Sequence, residues 1–400
     1  MTDNELKIIQ KEVKRLQIPS EFFGINLEDL KNYQYNMYVS IRQTAGKTTQ
    51  SLLLGLILIK NFPDQYNRIE YLRLDKSQIV RANIETMFDT IIELGYFKKL
   101  YGEAWNWVTY KPQQRKFYLA KIDEEGTVIE EASDPICAVH AIEHSEEYKS
   151  SYTNHKGNYI VVDECFETSR PTYQIFVEFL NAISTIGRPL SPGRADYLRI
   201  IMLGNNQDMY SFWFDEFGFD QEEVENLKYG GYITFNTEYN TNGICRMLEQ
   251  SERHKERIRL KNIPFLGFTS KKAAAFTGLE VWSGKQYKHP DFELNFEYRL
   301  FQRIYIFHRG RYMQLDFFND PEKRKFVYAH FSNKPLLEDN IILTLDPRDK
   351  QDVYGNGSKD ERQAVYDICK RYFMLYSENR WYYQSNKVGS LIEDYLSNIE

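Results

Sequence analysis

The sequence predicts an α/β fold whose N-terminal half contains a mostly parallel sheet. Strand-like and helix-like runs alternate along this half, and most of the strand-like runs are continuously apolar. Strands covered by helices on both faces have this composition, because neither face meets water. In such sheets ligands bind beyond the carboxyl ends of the strands. Polar and charged residues follow several of the predicted strands here, so we expect a functional site at that edge.

The elements of the N-terminal half are predicted from the spacing of apolar residues. In chain order, they are a helix at 4–16, a strand at 34–41, a buried helix at 47–60, a strand at 68–74, helical spacing over 76–94, a β-hairpin within 106–131, a strand at 158–164, a helix at 173–186 and a strand at 197–205. This alternation is typical of a sheet wrapped by helices on both sides.

The C-terminal part predicts a second, smaller domain. Gly230 and Gly231 indicate a hinge, and residues 240–262 predict a basic helix after it. Further elements are expected as two strands around a turn at 308–311, a strand at 340–346 and a helix near 360–376. The predicted domains are 1–228, a basic linker or lid at 229–285 and a C-terminal α+β domain at 286–400.

The composition indicates a globular chain. Of the 400 residues 42% are hydrophobic and 27% charged, and the four cysteines form no C-x-x-C pair. A reduced, intracellular protein is the expected class. The N-terminus is charged and amphipathic, unlike a signal peptide, and the apolar run from Leu52 to Ile59 is too short to span a bilayer. We therefore expect a soluble cytoplasmic protein without a membrane partner.

The charge is unevenly distributed. The net charge of −6 argues against a general polyanion binder, yet residues 229–285 carry nine basic residues against five acidic ones. Basic residues occupy every second position from Arg253 to Lys261. This alternation fits either a solvated linker helix or contact with nucleic-acid phosphates, and the sequence leaves both open.

Residues 40–49, S-I-R-Q-T-A-G-K-T-T, resemble a phosphate-binding loop between a strand and a helix. Such a loop needs inward backbone N–H groups, a helix N-terminus, a lysine for the phosphates and a hydroxyl for Mg²⁺. Its usual first glycine is Ile41 here, so a solvated loop with a lysine at the helix end stays open as the alternative. The candidate nucleotide-binding residues are Arg42, Gln43, Thr44, Ala45, Gly46, Lys47, Thr48 and Thr49.

The strand Y-I-V-V-D-E at 159–164 ends in two carboxylates. In enzymes with phosphate-binding loops the acid that ends this strand holds Mg²⁺, directly or through water. Asp163 is the candidate for that role, and Glu164 is the candidate that polarises the attacking water. The alternative is an ordinary strand that ends in solvated acids.

The next strand ends in Gly204, Asn205 and Asn206. An amide at this position can sense the γ-phosphate or orient the water, whereas the alternative is a simple turn. Hydrolysis also needs positive charge near the transferring phosphate. The candidates are Arg42, Arg73, Lys149 and Arg188, with Arg188 preferred as an arginine supplied by a neighbouring subunit. For each of them a solvated surface cation is the alternative.

Cys137, His140 and His144 are candidates for a metal site, because their spacing could place them on one helix face. The spacing matches no common zinc motif, and no fourth ligand is near in the sequence. A metal site here is the weaker hypothesis.

Taken together, these motifs resemble those of viral DNA-packaging ATPases. The chain is similar to the encapsidation motors of small short-tailed phages with protein-primed genomes, which are related to large terminase subunits. The resemblance is carried by the phosphate loop, Arg73-x-x-Lys76, the stretch at 147–152 before the Asp-Glu strand, and the segment at 180–188 before Leu203-Gly204-Asn205. Ile41 and Thr44 depart from the family pattern, which usually has glycines there, and the arginine of the loop stands one residue early, as Arg42.

The resemblance implies a P-loop (ASCE/RecA-like) NTPase domain that uses ATP and Mg²⁺. It implies that Lys47 and Thr48 bind phosphates and metal, that Asp163 supports the metal, and that Glu164 activates water. It further implies that Asn205 couples hydrolysis to movement and that Lys149 and Arg188 act across a subunit interface.

The implied partners are double-stranded DNA, the portal vertex of the procapsid and further copies of the chain in a ring, commonly a pentamer. A structural RNA is a further candidate partner. The implied location is the cytoplasm of the infected bacterium, with transient binding to procapsids and absence from the mature virion. The alternatives are another P-loop motor, such as a conjugation or secretion ATPase or a helicase, and a non-catalytic nucleotide-binding interaction protein.

The resemblance also implies a C-terminal domain related to ribonuclease-H-like nucleases. Such nucleases need three clustered carboxylates that hold two metal ions. The first predicted strand of this domain contains no acid, and Asp316, Asp346 and Asp349 are poorly spaced. We therefore expect a vestigial domain without nuclease activity.

Overall fold

The structure is a computed structural model that describes residues 1–18, 25–40, 46–144, 159–166, 172–187, 198–205, 209, 211–236, 241–249, 287–295, 297–335, 342–344, 375 and 380–397. The chain divides into two compact units. The first comprises Met1–Thr168 and Thr172–Ser283, and the second comprises Ser169–Pro171 and Gly284–Glu400.

A nine-stranded sheet forms the centre of the first unit. Its strands are β1 (Tyr35–Ser40), β2 (Ile69–Arg73), β3 (Trp107–Lys111), β4 (Lys116–Ile122), β5 (Val128–Ala141), β6 (Tyr159–Asp163), β7 (Arg199–Asn205), β8 (Tyr232–Asn236) and β9 (Asn242–Met247). They lie in the order β3-β4-β5-β2-β6-β7-β1-β9-β8. Six consecutive strands in this order are parallel, namely β5, β2, β6, β7, β1 and β9. At the two edges of the sheet, β3, β4 and β8 pair antiparallel with their neighbours. The predicted α/β class with a mostly parallel sheet is confirmed.

Helices cover the sheet of the first unit. They are α1 (Asp3–Arg15), α2 (Leu27–Asn32), α3 (Lys47–Asn61), α4 (Arg81–Glu85), α5 (Asp89–Glu93), α6 (Tyr96–Tyr101), α7 (Thr172–Ile186), α8 (Phe212–Glu216) and α9 (Gln221–Asn226), with 3₁₀ turns at Lys76–Gln78 and Ile142–His144. None of the helices in the described ranges is long and apolar enough to cross a membrane.

Alternate residues of the central strands fill two separate cores. Tyr71 and Val161 face the core that contains the buried side of α3, whereas Leu72 and Val162 face the core beneath α7 and α8. Gly55 lets α3 lie close to the sheet, because a Cβ there would come within 2.6 Å of Ile69 Cγ1.

The second unit contains a five-stranded sheet and one described long helix. The elements are β10 (Arg299–His308), β11 (Arg311–Asn319), β12 (Lys325–Ser332), β13 (Ile342–Thr344), β14 (Trp381–Tyr383) and α10 (Asn386–Ser397). The strand order is β13-β10-β11-β12-β14, with an antiparallel β10-β11-β12 meander flanked by parallel β13 and β14. Apolar residues of the meander and of α10 share one core, which includes Leu315, Phe317, Val388, Leu391 and Tyr395.

Two sequence-based interpretations need correction. Residues 76–94 form a 3₁₀ turn, α4 and α5 rather than one helix, since Asp75 caps the turn at Ser77 and the chain turns again before each short helix. Cys137 and His140 lie in β5, so they share no helix face with His144. Within the described ranges, no group of three or more His, Cys, Asp or Glu residues is arranged to hold a metal ion.

The linker predicted over 229–285 is corrected in its first part. Residues 232–236 and 242–247 form β8 and β9, and β9 pairs in parallel with β1. The start of the predicted basic helix is therefore a strand, because Ile244, Cys245 and Met247 are buried in the sheet of the first unit. Residues 250–262 of that predicted helix, and the helix predicted near 360–376 apart from Leu375, lie outside the described residues.

Candidate functional site

The candidate site lies where four neighbouring parallel strands end. In the order β2-β6-β7-β1, the last residues of these strands are Arg73, Asp163, Asn205 and Ser40. Helix α3 begins a few residues after the end of β1. The carboxyl ends of parallel strands meet at one edge of a sheet, so polar residues from distant parts of the sequence converge here.

The N-terminus of α3 is built to receive an anion. Gly46 adopts a left-handed conformation (φ 55°) before the first helical residue and contributes no side-chain cap. The first turn contains no acidic residue. The first N–H groups of a helix lack partners within the helix, and the helix dipole places partial positive charge there. This end of α3 therefore has the charge and the donors that a phosphate group requires.

Lys47 connects α3 with two strand ends. Its Nζ donates hydrogen bonds to Ser40 Oγ at 2.6 Å and to Asn205 Oδ1 at 3.1 Å. The lysine of the predicted phosphate loop and the amide predicted to sense phosphate are thus in direct contact, although 158 positions separate them.

Asp163 accepts hydrogen bonds on both of its carboxylate oxygens. Its Oδ2 accepts hydrogen bonds from Thr48 Oγ1 at 2.8 Å and from the Tyr71 hydroxyl at 2.6 Å. Its Oδ1 accepts one from the backbone N–H of Glu164 at 2.9 Å. The residue is buried, so these donors compensate for the water that the charge has lost.

Arg73 lies between Asp163, the last residue of β6, and Glu164, which follows it. A guanidinium nitrogen lies 3.5 Å from Asp163 Oδ2, and the group also forms an ion pair with the Glu164 carboxylate. Burial opposes the charge of Arg73, but Tyr71, Asp163 and Glu164 outweigh that effect and raise its pKa. Its Nε is buried without a hydrogen-bond partner among the described residues, which leaves a donor for a bound group.

Glu164 occupies an unusual backbone conformation. Its φ is 56°, in the left-handed region, which costs a residue with a Cβ about 1–2 kcal/mol. The next residue holds the turn in place, since the Cys165 N–H donates to the Leu203 carbonyl at 3.0 Å and the Cys165 carbonyl accepts from Trp213 Nε1 at 2.5 Å. The side chain of Glu164 remains 41% exposed, so it can reach a water molecule.

The structure brings six of the predicted site residues into two groups of contacts. Lys47 contacts Asn205, while Asp163 contacts Thr48 and Arg73, and Arg73 also contacts Glu164. Gly46 precedes the helix that carries Lys47 and Thr48. Thr49 lies in the first turn of α3. The remaining predicted residues, Arg42, Gln43, Thr44, Ala45, Lys149 and Arg188, lie outside the described residues.

Two residues of the site, Ser40 and Tyr71, were not among those predicted from the sequence. Ser40 is the last residue of β1, and Tyr71 lies two positions before Arg73 in β2. Side chains two positions apart in a strand point to the same face, so the alternation of β2 could have indicated Tyr71 once Arg73 was chosen.

The donor set fits a magnesium ion. Mg²⁺ prefers oxygen ligands, and it is usually held by one or two protein groups together with substrate phosphates and water. The hydroxyl of Thr48 and the carboxylate of Asp163 are the protein oxygens that lie together beside the N-terminus of α3. These two residues would hold the ion.

Comparison with known proteins identifies a shared fold. No protein-family model matches the sequence, and no curated protein matches it. The fold is shared with a DNA-packaging motor of known structure, so the resemblance inferred from the sequence is confirmed at the level of the fold. That structure is the Phi-28 gp11 DNA packaging motor, with a TM-score of 0.54 and 14% sequence identity over 92% of this chain and 95% of that chain.

Two weaker likenesses are to single domains of other phage proteins. One is to the N-terminal domain of the DNA packaging ATPase from bacteriophage phi29 (TM-score 0.40, 16% identity, 57% of this chain and 97% of that chain). The other is to the large terminase ATPase domain of Thermus phage P74-26 (TM-score 0.40, 11% identity, 68% of this chain and 97% of that chain).

Proposed function

We propose that this chain is an ATPase that drives double-stranded DNA through a portal into a viral procapsid. The observation that carries the proposal is the contact network at the ends of β1, β2, β6 and β7. In that network a lysine, a hydroxyl, two acids, an arginine and an amide surround the start of one helix. The fold shared with the Phi-28 packaging motor supports DNA packaging as the purpose of hydrolysis.

The phosphates of ATP are bound by α3 and Lys47. The N–H groups of the first turn of α3 receive phosphate oxygens, and the Lys47 ammonium reaches the β- and γ-phosphates. Because Lys47 also contacts Asn205, a change in the phosphates alters the surroundings of the end of β7. Asn205 thereby couples the state of the nucleotide to the segment that follows β7.

The two acids at the end of β6 divide the remaining work. Thr48 and Asp163 would hold Mg²⁺, which would supply positive charge beside the phosphates. Glu164 orients a water molecule and accepts its proton as the water attacks the γ-phosphate, with ADP as the leaving group. Arg73 directs the Glu164 carboxylate into the site, since it forms an ion pair with that group.

The finer features of the motor belong to the same proposal. Arg42 and Gln43 surround the phosphates, and Lys149 and Arg188 act across an interface in a homomeric ring, for which a pentamer is proposed. The ring docks on the portal vertex in the host cytoplasm and leaves before the virion is mature, and a structural RNA is a candidate partner there. The second unit is a vestigial nuclease-like domain that contacts DNA, RNA or the portal.

The test compares ATP hydrolysis by wild type and by Glu164→Gln, with double-stranded DNA and procapsids present. We expect Glu164→Gln to lower turnover by about 10²- to 10⁴-fold while ATP binding is retained, because only the proton acceptor is lost. Glu125→Gln, at an exposed carboxylate in the turn between β4 and β5, is the matched control and should leave turnover unchanged.

Two results would contradict the proposal. A wild-type protein without hydrolysis under these conditions would exclude a motor. Strand displacement, or stimulation by single strands in preference to duplex DNA, would indicate a helicase instead.

A further inference from the structure

Tyr71 places a hydroxyl group inside the candidate site. The side chain lies on β2 and is only 1% exposed, with its ring in the core that contains α3. Its hydroxyl donates to Asp163 Oδ2 at 2.6 Å, and the guanidinium of Arg73 lies over its ring at 5.5 Å from the centroid. The aromatic ring therefore belongs to the core, whereas the hydroxyl belongs to the site.

The hydroxyl is not explained by packing. A phenylalanine would fill the same space, and burying a hydroxyl costs free energy unless it is hydrogen-bonded. Here that cost is offset by a hydrogen bond to a charged acceptor, which is stronger than a bond between neutral groups.

The Tyr71 hydroxyl shares its acceptor with Thr48. Both donate to Oδ2 of Asp163, while the backbone N–H of Glu164 occupies Oδ1. Donors on both oxygens prevent rotation of the carboxylate. A threonine hydroxyl has one hydrogen and two lone pairs. When its hydrogen points to a fixed carboxylate, the lone pairs are directed elsewhere and can accept a cation.

We propose that Tyr71 is a positioning residue for Mg²⁺: by holding Asp163, it orients the Thr48 hydroxyl so that its lone pairs face the metal bound with the nucleotide. This inference rests on the proposed ATPase function, and it goes beyond it by assigning a role to a residue of β2. Tyr71 acts through Asp163 and Thr48 and does not itself touch the metal.

The experiment measures how ATP hydrolysis by the full chain depends on Mg²⁺ concentration in Tyr71→Phe. Loss of a partner behind a metal ligand typically weakens metal affinity by about 10- to 100-fold. We therefore expect the half-maximal Mg²⁺ concentration to rise by about that factor, and the rate to recover at saturating Mg²⁺. Binding of ATP without Mg²⁺ should be unchanged, because Tyr71 makes no contact with Lys47 or Gly46 in the described structure.

A second measurement does not depend on turnover. Binding of Mn²⁺ in the presence of ADP, followed by electron paramagnetic resonance, should weaken by the same factor in Tyr71→Phe. The matched control is Tyr159→Phe, which removes the hydroxyl of a fully buried tyrosine at the other end of the neighbouring strand β6. That control should leave both the Mg²⁺ dependence and Mn²⁺ binding as in wild type.

The outcomes separate this inference from the proposed function. If the wild type does not hydrolyse ATP, the proposed function fails, and Mn²⁺ binding still tests Tyr71. If the wild type is active and Tyr71→Phe shows unchanged Mg²⁺ dependence and Mn²⁺ binding, the role of Tyr71 is wrong. A lower rate that saturating Mg²⁺ does not restore would mean that the hydroxyl serves folding alone, which also overturns the inference. Should Tyr71→Phe fail to fold, Tyr71→Met keeps an apolar side chain without the hydroxyl and is expected to show the same shift.

Discussion

Arg73 lies between Asp163 and Glu164, two carboxylates adjacent in the sequence and forced to the same end of β6. Two carboxylates at short range repel each other, and a cation placed between them offsets that repulsion. The planar guanidinium can contact two carboxylates at once, which the single ammonium of a lysine does less well. Arg73 is therefore both a stabilising group and a means of directing Glu164.

We predict that Arg73→Ala lowers the free energy of unfolding by about 3 kcal/mol and abolishes ATP hydrolysis. Removing one partner of a buried ion pair leaves the other charge without compensation. Arg73→Lys should be intermediate in both respects. Urea unfolding and steady-state hydrolysis measure the two effects.

The control for this prediction is Arg81→Ala. Arg81 is exposed and pairs with Glu85 on the surface of α4, so its removal should change stability by less than about 0.5 kcal/mol. An Arg73→Ala protein as stable and as active as wild type would show that the two acids need no cation.

Among the elements, β11 of the second unit carries a buried acid. Asp316 accepts hydrogen bonds from Arg303, Gln314 and His330, which lie on β10, β11 and β12. Burial tends to raise the pKa of Asp316, but these hydrogen bonds, with that from His330 the largest, outweigh it and lower the pKa from 3.8. The hydrogen bond to Asp316 likewise raises the pKa of His330 above 6.5, although burial opposes this.

The Asp316–His330 pair predicts how the stability of the second unit depends on pH. Because the folded-state pKa of His330 is raised, its contribution is complete below about 6.5 and is lost as the pH rises through the higher folded value. The pKa of Asp316 is lowered, so its contribution is present above about 3.8 and is lost as the pH falls through the lower folded value. Between these limits both contributions are present.

We expect the stability difference between wild type and His330→Gln to shrink as the pH is raised from 6 to 8. Urea unfolding of both proteins across this range measures the difference. Subtracting the variant removes the effect of other titrating groups. A difference that stays constant, or grows with pH, would mean that His330 is not charged in the folded chain.

At the scale of the whole molecule, the proposed absence of nuclease activity depends on the acids of the second unit. A two-metal nuclease site needs several carboxylates free to bind cations. Of the three acids named from the sequence as nuclease candidates, Asp316 is the one that lies within the described residues. It already accepts hydrogen bonds from an arginine, a histidine and an amide. Asp346 and Asp349 lie outside the described residues.

We predict that the purified protein does not nick supercoiled plasmid in the presence of Mg²⁺ or Mn²⁺. Agarose electrophoresis of the plasmid over several hours provides the measurement, with a known nuclease as positive control. Metal-dependent nicking that is lost in Asp316→Asn would contradict both the vestigial domain and the structural role of Asp316.

Much of the first unit could be predicted because its signals are local. Apolar runs and helical spacing located β1, α3, β2, β6, α7 and β7, and short motifs located Lys47, Thr48, Asp163 and Glu164. The helix expected over 76–94 and the start of the basic helix expected from residue 240 were wrong for a common reason. Periodicity in one segment does not reveal whether the chain breaks into turns or pairs with a distant strand, as β9 does with β1.

The sequence by itself determined the kinds of elements in the first unit and the chemistry at the ends of its strands. Only the tertiary structure decided the order of those strands, with β7 between β6 and β1, and hence the contacts of Lys47 with Asn205 and of Tyr71 with Asp163. The physical reason is that neighbours in a parallel sheet are selected by the packing of helices on both faces. That packing joins residues more than ninety positions apart and leaves no local pattern in the sequence.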